Sequence, residues 1–125
     1  MSEQIRAVVT KYVELVGSGP TEAIVELYAP EATVEDPVGS AVRHGHEAIR
    51  EFYDILAPLD RETELRADSV RVAGNEVAFQ FTIVTRAGGQ RFTMSPIDFM
   101  EFDESGKILR MRAFWSQSDM AIEPE

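Results

Sequence analysis

The chain has 125 residues, 44% of them hydrophobic, and a formal net charge of −10 from 12 Lys+Arg against 22 Asp+Glu, with no cysteine. A length of this order suits one domain around one core, spanning residues 1–125, and the lack of cysteine excludes a disulfide framework, a thiolate nucleophile and a Cys-based metal site. The acidity sets most of the surface against a phosphate backbone, so no nucleic-acid partner is expected.

Ser2 to Thr10 carries Glu3 and Arg6 and has no uninterrupted apolar run. Neither a signal peptide nor a membrane span is therefore expected, and the chain reads as soluble and cytoplasmic. Ile5, Val8, Val9, Tyr12, Leu15 and Val16 recur at three- and four-residue steps, which predicts a first amphipathic helix stopping at Gly17-Ser18-Gly19. Pro20 opens a short second helix with Ile24, Leu27 and Tyr28 as its inner stripe. Ala32 to Asp36 is short and extended, and Pro37 keeps Asp36 out of helical geometry. A third helix, from about His46 to Leu56, turns Ile49, Phe52, Tyr53 and Leu56 to one side before Pro58 ends it.

From Thr63 onwards the period of the pattern changes from that of a helix to that of a strand. Strands are predicted near Leu65–Ala73, Glu76–Ala87, Gln90–Asp103 and Lys107–Ser116, joined by turns into an antiparallel meander, with Asp119–Glu125 as a loosely held tail. Three helices followed by a long curved sheet is an α+β layout. The charged stretch 59–66 is expected at the mouth of any cavity this sheet encloses.

Two acids and three phenols stand out. Asp98 alternates with Pro96 and Met100 on one strand face, and the neighbouring strands offer apolar faces: Val77, Phe79, Phe81 and Ile83 on one, Leu109, Met111, Ala113 and Trp115 on the other. A carboxyl buried there has its pKa raised by desolvation, and once protonated it donates a hydrogen bond. Asp36, before Pro37 and near Val34 and Val38, fits either a turn residue or a carboxylate base bordering the same cavity. Tyr12, Tyr28 and Tyr53 each fall on the inward stripe of a predicted helix. That placement fits a chain of mutually bonded hydroxyls, and equally three separate core aromatics whose hydroxyls reach backbone or water. His44 and His46 form a His-x-His pair with no third ligand in view, so they read as surface histidines and no metal site is expected.

In order and spacing, Lys11 to Val16 around Tyr12, Glu22 to Ala29 around Tyr28, Ala32 to Pro37, Phe52-Tyr53, Ile97-Asp98 and Phe114-Trp115-Ser116 resemble the bacterial Δ5-3-ketosteroid isomerases. The wider group to which these are similar is the nuclear-transport-factor-2-like or SnoaL-like superfamily. The resemblance implies a cone-shaped fold, three N-terminal helices packed on a curved, mainly antiparallel sheet. It implies conversion of 3-oxo-Δ5-steroids to 3-oxo-Δ4-steroids by intramolecular proton transfer through a dienolate, with Asp36 as the general base. Tyr12 and Asp98 resemble the oxyanion-hole pair, the division of labour between two carboxyls for which this family is itself the standing example. Tyr28 and Tyr53 look like the phenols behind Tyr12, and Trp115 resembles an aromatic beside the acid, although it fits an ordinary core residue nearly as well. The expected substrate wall is Val16, Val38, Phe52, Leu56, Phe81, Met100, Met111, Ala113 and Trp115. Neither cofactor nor metal is expected, and a homodimer is. Two other readings share the fold: a polyketide cyclase, dehydratase or epoxide hydrolase, and a non-catalytic small-molecule-binding module.

Overall fold

An amphipathic helix must cover its apolar stripe, and the curved sheet supplies the cover in the computed structural model, which describes residues 2–125. The elements run α1 (Ser2–Ser18), α2 (Thr21–Val25), β1 (Tyr28–Glu35), β2 (Arg43–His44), α3 (Gly45–Asp54), β3 (Asp60–Ala73), β4 (Glu76–Ala87), β5 (Gln90–Met94), β6 (Ile97–Phe102), β7 (Ile108–Phe114) and β8 (Ala121–Pro124). β3 pairs along one edge of β4. The other edge of β4 is shared, with β6 beside Glu76–Gln80 and β5 beside Ile83–Ala87. β7 continues the sheet beyond β6, followed by β1 and β2. Ile5, Val9, Tyr12, Val13 and Val16 of α1 are all buried, and they meet the inward residues Phe79, Phe81, Met100 and Met111 in one core. No helix among the described residues is long and apolar enough to cross a membrane.

The α+β layout with three leading helices stands, and several local expectations are corrected. Tyr28 begins β1 instead of closing α2. A five-residue helix has little cohesion of its own, and pairing wins: the Ile108 N–H donates to Leu27 O at 2.9 Å and Tyr28 takes Ile108 as its strand partner. β1 runs parallel to β7, so the sheet is not a pure meander. The strand predicted from Gln90 to Asp103 is two, broken at Ser95-Pro96, because proline cannot supply a ladder donor. The tail is not loose. β8 pairs with β5 from Thr93↔Ala121 to Gln90↔Pro124, and Arg86–Glu125 and Arg91–Glu123 ion pairs at 2.9 and 3.5 Å accompany it.

The charged stretch 59–66 lies mostly in β3, paired to β4, and contributes no side chain to the cleft described below. Alternating charges suit a strand whose other edge faces solvent. Arg61 within it ties two helix ends together. Its Nε donates to Val16 O at 2.6 Å and its Nη2 to Gly19 O at 3.2 Å, at the end of α1. Its Nη1 reaches Leu56 O, Ala57 O and Leu59 O after α3, at 3.0, 3.2 and 3.3 Å. Carbonyls at a helix C-terminus have no intrahelical donor, and one guanidinium serves both ends here. The same approach leaves Gly17 no room for a side chain, since an added Cβ would collide with Thr63 Oγ1, which donates to Val13 O at 2.5 Å. Arg61→Met is expected to lower unfolding free energy by about 2–4 kcal/mol, several charge-assisted bonds less the water that replaces some of them. Urea unfolding checks it, and a loss below about 0.5 kcal/mol would mean that the carbonyls are as well served by solvent.

Candidate active site

Between the open ends of α1 and α3 and the outer half of the sheet lies a cleft of about 240 Å³. Its walls are mostly apolar: Val16 from α1, Phe52 and Leu56 from α3 and the turn after it, Phe81 and Ile83 from β4, Phe92 and Met94 from β5, then Pro96 and Met120. Asp36, Tyr12, Tyr53, Thr85 and Trp115 are the polar or partly polar side chains on that wall.

Asp36 is placed by what precedes and follows it. β1 ends at Glu35, whose carboxylate accepts the Gly39 N–H and the Arg112 Nε–H, both at 3.0 Å, so the loop is pinned to its own strand end and to β7. The Val38 N–H donates to Ala113 O at 2.8 Å, and the Asp36–Pro37 peptide is cis. The Glu35 and Val38 bonds hold the loop so that Asp36 faces the cleft, where Trp115 Nε1–H donates to its Oδ1 at 2.6 Å. Burial raises the Asp36 pKa above the ordinary carboxylate value, and the indole donor opposes that rise. Oδ1 is held, while Oδ2 has no hydrogen bond among the described residues.

The three phenols meet in one chain. Tyr53 is in the middle, 2.8 Å from the Tyr12 hydroxyl and 2.7 Å from the Tyr28 hydroxyl. Each hydroxyl has one proton, so the chain has a direction: if Tyr28 donates to Tyr53 and Tyr53 to Tyr12, the Tyr12 proton is left to point into the cleft. Burial pushes all three well above the usual phenol pKa, which keeps them protonated as donors. Phe79 and Phe81 meet the Tyr12 ring edge-on, with centroids at 6.4 and 6.5 Å, and hold its orientation.

Asp98 is the buried charged residue of the core, 1% exposed, between Phe79 on β4 and Ala113 on β7. Its Oδ1 has no hydrogen-bond partner. Burial, and secondarily the charge of Asp36, pushes its pKa well above the ordinary value. It lies near enough to Tyr12 for its charge to raise that phenol's pKa too. Its side chain sits behind the cleft wall instead of forming part of it. A buried carboxyl oxygen without a partner is rare in a folded core and marks a group able to bond something the core itself does not supply.

Of the expected substrate wall, Val16, Phe52, Leu56, Phe81 and Trp115 line the cleft. Met100, Met111 and Ala113 do not. They share the inward face with Asp98 but are covered completely by the core at 0%, 0% and 1% exposure. Alternation gives the face of a strand and not the depth at which the core closes over it. Val38 belongs to the pinned loop and stays outside the cleft. Phe92, Met94 and Pro96 were missed, although they continue the even-numbered stripe that contains Asp98; Thr85 likewise continues the stripe of Phe79, Phe81 and Ile83. Met120 had no signal, because it follows a single 3-10 turn (Gln117–Asp119) ahead of the unexpected β8. His46 Nε2 lies 2.8 Å from Tyr28 O, away from the cleft wall.

Residues 9–111 match the SnoaL-like domain family. A protein named Steroid Delta-isomerase from Nocardioides simplex is 46% identical over 124 residues, covering 99% of each chain. Among solved structures, SalBIII, an epoxide hydrolase/cyclase-like enzyme in pyran ring formation in the polyether salinomycin, superposes with a TM-score of 0.88 at 28% identity, covering 97% of each chain.

Proposed function

This chain belongs to the SnoaL-like domain family, and we propose that it is a steroid Δ-isomerase, working as a single ketosteroid-isomerase-like domain that converts 3-oxo-Δ5-steroids to 3-oxo-Δ4-steroids. The observation that carries the reading is an apolar cleft whose wall holds a carboxylate, Asp36, and the Tyr12 hydroxyl, with a second acid that cannot easily ionise, Asp98, buried behind that wall. The 46% identity to a protein named Steroid Delta-isomerase supports it independently.

In the proposed reaction Asp36 Oδ2 takes a proton from C4, next to the ketone, and the electrons move onto the 3-oxygen to give a dienolate. The Tyr12 hydroxyl donates to that oxygen. Asp98, protonated, donates its otherwise partnerless proton to the same place. Donors fixed in an apolar site stabilise the developing charge better than water, which must reorganise. Asp36 then returns the proton to C6, and the double bond comes into conjugation with the ketone. The base ends as it began, so the residues themselves complete the cycle. Trp115 holds Oδ1 and so restricts the carboxylate to a swing of its free oxygen between the two carbons.

The test is product identity. 5-Androstene-3,17-dione should give an enone of unchanged mass that absorbs in the ultraviolet. A product heavier by one water, or no product from folded protein, would transfer support to the hydrolase, cyclase or binding-module readings. The SalBIII likeness favours a cyclase as the second reading, but among the described residues no His or Arg lines the cleft to assist ring-opening chemistry at Asp36.

A homodimer is part of the proposal. Ile97 and Phe114, 50% and 45% exposed, are register partners on the outer face of β6 and β7. An apolar outer face of this kind suits a second copy. Sedimentation at micromolar protein is expected to give twice the chain mass, and a monomer alone would contradict it.

A further inference from the structure

Every polar side chain on the cleft wall makes a hydrogen bond among the described residues, with one exception. Tyr12 and Tyr53 bond to each other, and Asp36 and Trp115 bond to each other. Thr85 Oγ1 has no hydrogen bond among the described residues, although Thr85 is half-buried on the wall. On the β5 side its surroundings are apolar: its register partner there is Phe92, and the next pair inward on that face is Ile83 with Met94; on the β3 side its partner is Arg61, whose guanidinium is engaged by the carbonyls at the two helix ends. Thr85, Phe92, Ile83 and Met94 all border the cleft.

The position along the strand matters as much as the missing partner. The inward stripe of β4 runs Phe79, Phe81, Ile83, Thr85. Its inner end is the donor end, where Phe79 pairs with Asp98 and Phe81 packs on Tyr12. Thr85 lies four residues beyond Phe81, about 13 Å at a strand rise of ~3.3 Å per residue. That span is comparable to the length of a rigid four-ring carbon skeleton. A substrate with its ketone at Tyr12 and its long axis along this stripe would bring its far ring to the half-buried Thr85, beside the Phe92 and Met94 side chains. A hydroxyl that both donates and accepts serves a ketone or an alcohol there.

We infer that Thr85 is a specificity residue that hydrogen-bonds an oxygen on the far ring of the substrate, so that the cleft selects steroids oxygenated at both ends. The inference rests on the isomerase reading and names its substrate class more narrowly. An isosteric change removes the hydroxyl and keeps the volume, and a partnered neutral hydrogen bond of this type corresponds to about 3- to 10-fold in affinity.

The experiment compares 5-androstene-3,17-dione with 5-androsten-3-one, which lacks the far oxygen, on wild type, Thr85→Val and Thr85→Ser. The ratio of kcat/KM for the dione over the 17-deoxy ketone should fall about 3- to 10-fold in Thr85→Val, mainly through KM, and recover in Thr85→Ser. A ratio unchanged in Thr85→Val, or a fall that Thr85→Ser does not reverse, overturns the inference. The same proteins are also titrated with estradiol and its 17-deoxy analogue, phenols that need no turnover. Absence of isomerisation with a binding preference that Thr85→Val abolishes would sink the isomerase reading and keep the role of Thr85; turnover without any such preference would do the reverse.

Discussion

Asp36→Asn is expected to lower kcat for 5-androstene-3,17-dione by about 10²–10⁴-fold, the range typical of a lost general base. The amide is isosteric, and its oxygen can still accept the Trp115 Nε1–H bond that holds Asp36 Oδ1 at 2.6 Å. What is lost is the lone pair on the free oxygen, the atom that must hold the travelling proton. Asp36 is the one carboxylate on the cleft wall among the described residues, so no neighbour takes over. The effect should fall on kcat with little change in KM, because cleft shape is preserved and the missing interaction belongs to the transition state. Initial rates with a urea unfolding curve on the same sample separate chemistry from folding. A loss smaller than about tenfold in folded protein would place the proton transfer on another group.

Removing the donors should cost nearly as much. Tyr12→Phe and Asp98→Val are each expected to lower kcat by about 10²–10³-fold, the effect of deleting one oxyanion-hole donor. Their effects on the free protein differ. Tyr12→Phe deletes a phenol bonded to Tyr53. Asp98→Val replaces a buried carboxyl whose Oδ1 has no partner, so stability should hold or rise as activity falls. The pH dependence separates these cases further. Folding raises the Asp98 pKa, so the folded chain holds that proton more tightly than the unfolded one. Its contribution is fully favourable below the ordinary carboxylate value of 3.8 and is lost as pH rises through the raised folded value. Wild type should therefore lose stability relative to Asp98→Asn on going from acid to alkaline pH, with the difference levelling off only above the folded pKa of Asp98. Parallel stability curves for the two proteins would show that Asp98 titrates normally and is no donor at neutral pH.

What could be read from the residues was what depends on local period. Strand alternation puts Asp98 on a buried face beside Pro96 and Met100, and that needs no knowledge of the rest of the chain. Tyr12 and Tyr53 followed from the helical stripes of α1 and α3 in the same way. Tyr28 did not, because its conversion from helix to strand is decided by β7, which is remote in sequence and pairs with it through Ile108. The tail hides its strand for the same reason, since β8 exists only where β5 offers an edge. Met100, Met111 and Ala113 mark another limit: their face was assigned correctly, but the depth at which helices and sheet close is a property of the assembled core. The family resemblance put Trp115 beside the acid. The hydrogen bond from its indole to Asp36 depends on where the pinned loop after Glu35 comes to rest, and no spacing in the chain encodes that.

The most direct measurement follows the travelling proton itself. 5-Androstene-3,17-dione deuterated at C4 is isomerised in ordinary water under single-turnover conditions, and the hydrogen at C6 of the product is analysed. If Asp36 carries the same proton out and back, deuterium should appear at C6 well above the solvent level, and its transfer should vanish in Asp36→Asn. Enone formed by the wild-type protein with only solvent hydrogen at C6 would contradict a single-carboxylate shuttle in this apolar cleft.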